Sequence, residues 1–409
     1  MSEWKCYKLN EISSLSNGIN FDKSAYTSGV KLIGVSDFKN RIHPDYDSLQ
    51  EVDSKVVRSG DYLEKGDIVF VRSNGNKELV GRCMMIERDI PVTYSGFCIN
   101  LRLKDKKRFE PVFFNYLFRT RQFKKSMTGT AVGANIQNLS QSRLGNCEVN
   151  VPGIETQREI ATILSRYDSL IENYQKQIKL LEEAEQRLYK EWFVDLHFPG
   201  HENTKIVDGV PEGWEKKNVG EVCDTTSGGT PSRSKTAFYT GNILWVKTKE
   251  LNDEFIFDTE EKITDDAIRK SSAKLIPSGS ILMAMYGATI GKLGIATKEL
   301  SCNQACCVFL LHEDDILRFY LYNWLLDNRT MLISMGKGAA QPNLSQDMIK
   351  KLEIVIPSLH LLTIFDSKVK STYKKVYYLS SQIRLLTEAR DRLLPKLMSG
   401  EIVLEGETA

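Results

Sequence analysis

The stretch Glu183-Ala184-Glu185-Gln186-Arg187-Leu188 returns as Glu388-Ala389-Arg390-Asp391-Arg392-Leu393, so the chain reads as one unit written twice at a shift of 205 positions. Any fold for this sequence must therefore hold two similar halves. Asn138-Leu139-Ser140 recurs as Asn343-Leu344-Ser345 and Val151-Pro152 as Ile356-Pro357, while 164–178 lies over 369–383, all at the same shift. Earlier in each half the match loosens: Leu63–Phe70 is similar to Ile276–Met283, and Trp4 to Trp214, at shifts of 210 to 213. Length changes fall early in each half and not late, which marks a variable module followed by a length-controlled one.

The length-controlled part carries a heptad pattern. Ile160, Tyr167, Tyr174, Leu181 and Leu188 recur every seven residues, and Leu164, Ile171, Ile178, Glu185 and Trp192 follow each by four. The second half gives Phe365, Thr372, Leu379, Leu386 and Leu393, with Val369, Val376, Ile383, Arg390 and Leu397. Five heptads predict a coiled-coil seam. Each helix is expected just after a proline, Pro152 or Pro357, and to run about 55 Å at about 1.5 Å per residue. A stripe that long needs a partner, and the nearest is its own copy. With a whole globular part between the helices, no short turn forces a hairpin, and an antiparallel pair about a local two-fold axis would put one globular part at each end. The plainer alternative is a core hairpin or an oligomerisation handle.

Punctuation sets the boundaries at 1–152, 153–196, 197–357 and 358–409: the run Phe193–His201 leaves the first helix, and Gly209-Val210-Pro211-Glu212-Gly213-Trp214 opens the second globular part. Each globular part mixes short β-rich runs, Gly66–Val71 and Ser280–Met285, with one helical stretch, Pro111–Phe123 and Ile316–Leu326. The expected class is α+β. With 41% hydrophobic residues, no run approaching the roughly 20 apolar residues of a membrane helix and no leader, a soluble cytoplasmic protein is expected. Eight cysteines without paired spacing fit reduced thiols. Cys302, Cys306 and Cys307 cluster, but no histidine stands at zinc-finger spacing, and a buried strand is preferred to a metal site.

In this order, and twice over, the motifs resemble the specificity subunits of type I DNA restriction-modification systems. The resemblance spans nearly the whole chain and rests on Gly209–Trp214, on Gly228-Gly229-Thr230-Pro231-Ser232 with Trp245 after it, and on Gln341-Pro342-Asn343-Leu344-Ser345 before Ile356-Pro357. The helical regions add Glu155-Thr156-Gln157 and Leu393-Leu394-Pro395-Lys396-Leu397-Met398-Ser399-Gly400. One departure, Leu361-Leu362 in place of Thr156-Gln157, bears on the start of the second helix. The resemblance implies two target-recognition domains held apart on an antiparallel pair of long helices, each reading one half of a split, asymmetric site in double-stranded DNA. It also implies two modification (methyltransferase) subunits docked on the helices, where Tyr167, Tyr174, Leu181, Trp192, Leu379, Leu386 and Leu393 are the candidate partner contacts. Up to two restriction (translocase-nuclease) subunits would join them. The complex would use S-adenosylmethionine to methylate adenine, and ATP with Mg²⁺ to restrict; this chain itself would bind no cofactor.

Charge divides unevenly. The first globular part has 23 Lys+Arg against 17 Asp+Glu, and the second 18 against 21. Only the first favours a phosphate surface outright, although a one-sided patch can coexist with a neutral domain. For base reading, Arg suits guanine, and Asn or Gln suits adenine. The candidates are Arg72, Asn74, Asn76, Lys77 and Arg82, with Asn135 and Gln137, in the first part. In the second they are Tyr286, Thr289 and Lys292, with Lys337 and Gln341. Lys247 and Lys249, together with Arg119, Arg121, Lys124 and Lys125, are candidates for phosphate contacts, which position without specifying.

No catalytic machinery is legible. Family methyltransferases carry an Asn- or Asp-Pro-Pro-aromatic motif, and the chain has no Pro-Pro. Gly287–Leu293 is one residue short of a phosphate loop and ends in Leu where Ser or Thr is needed. Five scattered histidines offer no triad. A self-contained enzyme would lack a domain for its chemistry; a helical protein-binding scaffold or an inactive decoy subunit is the main alternative to a DNA reader.

Overall fold

The structure, a computed structural model, describes residues 4–38, 41–75, 79–128, 138–311, 315–336, 343–402 and 404. The chain divides into two compact units, Met1–Ile171 with Leu385–Ala409, and Glu172–Arg384. Two long helices, Ile154–Tyr189 and Leu359–Met398, start two residues beyond Pro152 and Pro357 and contribute to both units. The boundaries at 152/153, 196/197 and 357/358 therefore mark changes of secondary structure, whereas the compact units divide within the helices.

In the first unit a four-stranded antiparallel sheet runs in the order Ser13–Asn17, Cys98–Leu103, Ile68–Val71, Cys83–Met85. A three-stranded sheet has Tyr26–Ile33 between Gln50–Val52 and Val92–Tyr94, the latter parallel to it. Lys5–Lys8 pairs with Glu148–Val151. The helical stretch is two pieces, Pro111–Leu117 and Arg121–Thr128. They bury Phe113, Phe114, Phe118 and Phe123 against Phe70, with the Phe118 and Phe123 rings 4.6 Å apart. Ile160, Ala161 and Leu164 of the first long helix share this core with Leu397 and Met398 of the second.

The second unit repeats the plan with a fifth strand. Its large sheet runs Thr225–Ser227, Cys306–Phe309, Ile281–Ala284, Leu293–Ala296, Glu254–Ile256, and its small one Lys262–Ile263, Ile243–Val246, Ser301–Cys302. Glu215–Asn218 pairs with Glu353–Ile356, as Lys5–Lys8 does with Glu148–Val151. Helices Arg318–Asp327 and Arg329–Met335 match the first unit's broken pair. The cysteine cluster is buried strand and turn: Cys302, Cys306 and Cys307 are fully covered, and burial pushes the Cys307 thiol well up. Among the described residues no group of side chains is arranged to hold a metal ion, and no helix is long and apolar enough to cross a membrane.

The glycines of the Gly228-Gly229-Thr230-Pro231-Ser232 motif are explained by crowding. A β-carbon on Gly228 would lie 2.0 Å from the Cys302 carbonyl oxygen, and one on Gly229 would lie 2.3 Å from the Ser272 backbone. Trp245 Nε1 donates to the Gly229 carbonyl at 3.0 Å, so the tryptophan that follows the motif seals the same crossing. Gly18 is the counterpart in the first unit, with a β-carbon position 2.2 Å from the Ser95 carbonyl.

Along the helices, every seam position of the heptad frame is buried or half-buried. In the second unit Glu185 meets Tyr373 and Asn323, Tyr189 and Trp192 meet Phe365, and Lys368 lies 6.0 Å over the Trp192 ring. As one helix advances the other recedes, so the pair is antiparallel there. In the first unit Asp168 binds Arg390 and accepts from the Tyr116 hydroxyl. Asp168 and Tyr373 are repeat equivalents, as are Glu185 and Arg390. Each unit thus joins the same two repeat positions, drawn from opposite repeats. Past Tyr189 the first helix widens into a π turn, Lys190–Val194, which carries Trp192 and Phe193 into the second unit's core.

Candidate nucleic-acid interface

The large sheets of both units end in the same backbone frame. Arg72 N donates to Phe97 O at 2.8 Å and Leu139 N to Arg72 O at 2.8 Å; Met285 N donates to Ala305 O at 2.9 Å and Leu344 N to Met285 O at 2.9 Å. One residue earlier, Val71 N donates to Arg82 O and Gly81 N to Val71 O. Ala284 N to Lys292 O and Gly291 N to Ala284 O repeat this pair, all four at 2.9 Å. Gly81 and Gly291 have φ of +79° and +78°, a conformation that glycine adopts without strain. Ser73 bridges to Asn138, and Tyr286 to Asn343. Behind each bridge a serine caps a short helix: Ser140 Oγ accepts from Arg143 N and Ser345 Oγ from Met348 N, both at 3.1 Å. The repeated Asn-Leu-Ser is thus a bridge, a backbone anchor and a helix cap in both units.

Equivalent frames make equivalent positions identifiable. Arg72 corresponds to Met285, Ser73 to Tyr286, Phe97 to Ala305 and Arg82 to Lys292, and the loop between the paired strands is three residues longer in the first unit. The chemistry differs at every one of these pairs except Arg82 and Lys292, which both carry positive charge. Arg72 is half-buried and has no ion-pair partner among the described residues, whereas Met285 is buried. Lys292 Nζ donates to Asp253 Oδ2 at 2.6 Å. Arg329 binds the same carboxylate and donates from Nε to Gly291 O at 3.0 Å. Asp253, at φ +68°, also accepts from Leu293 N, so this ion cluster fixes the turn on which Lys292 stands. Thr289 is half-buried, with its carbonyl accepting from Lys292 N.

Lys247 and Lys249 both bind Glu260, at 2.7 and 2.5 Å, and Lys247 also reaches Glu261. The two ammonium groups hold the Glu260 carboxyl down at about 2. Their positive charge is therefore largely matched within the unit. Arg119 turns inward, donating to the carbonyls of Arg41 and, at 2.8 Å, Cys83, while Arg121 and Lys124 are exposed. Asn74 and Arg82 are half-buried. Asn76, Lys77, Asn135, Gln137, Lys337 and Gln341 lie outside the described residues.

Of the helix candidates, Trp192 and Leu379 are buried inside the chain, and Tyr167, Tyr174, Leu181, Leu386 and Leu393 are half-buried in the seam. The large apolar side chains that the helices expose are others: Leu170, Leu180, Leu359, Tyr378 and Leu385. Heptad counting finds the seam and not the outward face, because both faces carry leucine and tyrosine. Two groups at or beside the frames were missed. Phe97 stands alone beside a glycine with no periodicity to mark it, and Asp253 and Arg329 are joined only by the fold.

Residues 1–183 and 211–361 match the family model described as the type I restriction modification DNA specificity domain. The chain belongs to that family. It is 29% identical to the specificity subunit of the type I restriction enzyme MjaIX from Methanocaldococcus jannaschii, over 72% of this chain and 69% of that protein. It is 24% identical to the HindI specificity subunit from Haemophilus influenzae, over 98% and 100%. A crystal structure of the type I restriction-modification S subunit from M. genitalium shares the fold, with a TM-score of 0.61 at 16% identity over 97% of this chain and 96% of that one. As a type I specificity subunit, the chain is a DNA target-recognition protein, and its two strand-end frames are the places to look for the reading.

Proposed function

We propose that this specificity subunit reads a bipartite, asymmetric site in double-stranded DNA, with the first unit's frame on one half-site and the second unit's on the other. The observation that carries the reading is the pair of frames: backbone hydrogen bonds repeated to within about 0.1 Å present different side chains in the two units. A repeated scaffold with divergent tips is what two readers of different sequences need, since base contacts specify while the scaffold only positions.

The chain acts without catalysing and directs partners to the site. Two modification subunits would dock on the helices, where Leu170, Leu180, Tyr378 and Leu385 offer exposed apolar contacts. Those subunits would bring S-adenosylmethionine to methylate adenine, and up to two restriction subunits would add ATP- and Mg²⁺-dependent cleavage of unmodified DNA. The place of action is the bacterial or archaeal cytoplasm, where that DNA lies.

Co-expression with the modification subunit in a host free of adenine methylation, followed by long-read mapping, tests this reading. The expected result is a single split motif with a fixed gap and different halves. A stable complex that leaves no new methylation would contradict it and favour a scaffold or decoy.

A further inference from the structure

Phe97 is exposed to 62%, the one exposed phenylalanine among the described residues. It is also held in place. Gly96 N donates to Ile19 O at 2.7 Å and Cys98 N to Ser95 O at 2.9 Å. The Phe97 carbonyl accepts from both Arg72 N and Ser73 N, at 2.8 and 3.3 Å. Gly96 packs closely against the Asn20 side chain, whose Oδ1 would lie 2.1 Å from a β-carbon there, and Cys98 is fully buried. The backbone on either side is thus locked, and the ring is presented without ring partners among the described residues. Exposed Tyr26, by contrast, packs edge-on against Phe21 with centroids 5.2 Å apart.

The second frame has Ala305 at this position but carries its own exposed ring, Tyr286, where the first frame has Ser73. Each frame therefore shows one aromatic side chain, from non-equivalent positions. A ring conserving packing or turn geometry would recur at the same position; rings that change position between otherwise matching frames are suited to distinguishing two targets.

Building on the DNA-reading function proposed above, we propose that Phe97 is a specificity-determining residue that packs against the C5 methyl of a thymine in the half-site read by the first unit. A phenyl ring has no hydrogen-bonding group, and the apolar feature that a base edge offers in the major groove is the thymine methyl. Arg72, anchored by the same carbonyl, supplies forked donors beside it. Ring and guanidinium together can discriminate neighbouring pairs by different chemistries.

The test measures equilibrium binding of the complex with its modification subunits to duplexes carrying the mapped site. Each thymine of the first half-site is replaced in turn by deoxyuridine, which lacks only the methyl. For the unsubstituted protein, one replacement should weaken binding roughly fourfold, about the worth of one buried methyl. That thymine-to-uracil ratio should fall to about one in Phe97→Ala and return in Phe97→Leu, which restores apolar contact. A ratio of one at every thymine for the unsubstituted protein, or an unchanged ratio in Phe97→Ala, would overturn the assignment. Equal weakening of both duplexes by Phe97→Ala would also overturn it, marking instead a ring wedged at a base step. Failure of the unsubstituted complex to bind any site specifically would strike the functional reading itself.

Discussion

Single residues show where the chain has no latitude. A β-carbon on Gly228 would meet backbone at 2.0 Å, and backbone cannot swing aside as a flexible side chain can. Gly228→Ala should therefore destabilise the second unit by on the order of 3 kcal/mol or more, visible as a lowered thermal midpoint. Glu185 makes a different demand. Burial pushes its carboxyl up to about 8, despite hydrogen bonds from Tyr373 and Asn323. A raised folded value means that the folded state holds a proton that the unfolded state has lost. The stability this contributes is greatest below about 4.5, where both states are protonated, and is lost as pH rises toward about 8. Thermal melts of Glu185→Gln, which is neutral throughout, should decline less than those of the natural protein between pH 5 and 8; parallel declines would remove Glu185 from the account. The Asn-Leu-Ser repeat was legible as a sequence, but its role as bridge, anchor and cap was not. Phe97 gave no signal at all, since a lone aromatic beside glycine reads the same whether buried or presented.

At the scale of elements, the long helices were the most legible feature, because seven-residue periodicity survives any tertiary context. Their starts after Pro152 and Pro357 and their seam positions follow the pattern closely. The pairing that fixes their register was not legible. Asp168 and Arg390 are separated by 222 positions, and only the fold brings them together with Tyr116. Arg390→Ala leaves Asp168, whose side chain is 11% exposed, without its cation. It should cost on the order of 3 kcal/mol, while removing both charged groups should cost less. Urea unfolding of the two single variants and the double variant measures this coupling, and strict additivity would show that the pair does not act as one. In the first globular part, the single helical stretch expected over Pro111–Phe123 is two short helices broken near Thr120, whereas Ile316–Leu326 falls on one helix, Arg318–Asp327, and the helix after it, Arg329–Met335, was not foreseen. Local apolar content does not register such a break.

For the whole molecule, the duplication in sequence becomes a duplication of frames, and the frames present different side chains. Total charge was a poor guide to this level. Lys247, Lys249 and Lys292 of the second unit are matched by Glu260, Glu261 and Asp253, so counting cations overstates what is available to phosphate. The central claim is that each frame reads its own half of one site. The most direct measurement is the adenine-methylation map of cells carrying the modification subunit with Arg72→Ala or Tyr286→Ala in this chain. Each substitution should relax or abolish discrimination at positions within one half of the split motif and leave the other half unchanged, with the two variants affecting opposite halves. Loss confined to the same half in both variants, or unaltered motifs with either, would contradict the account.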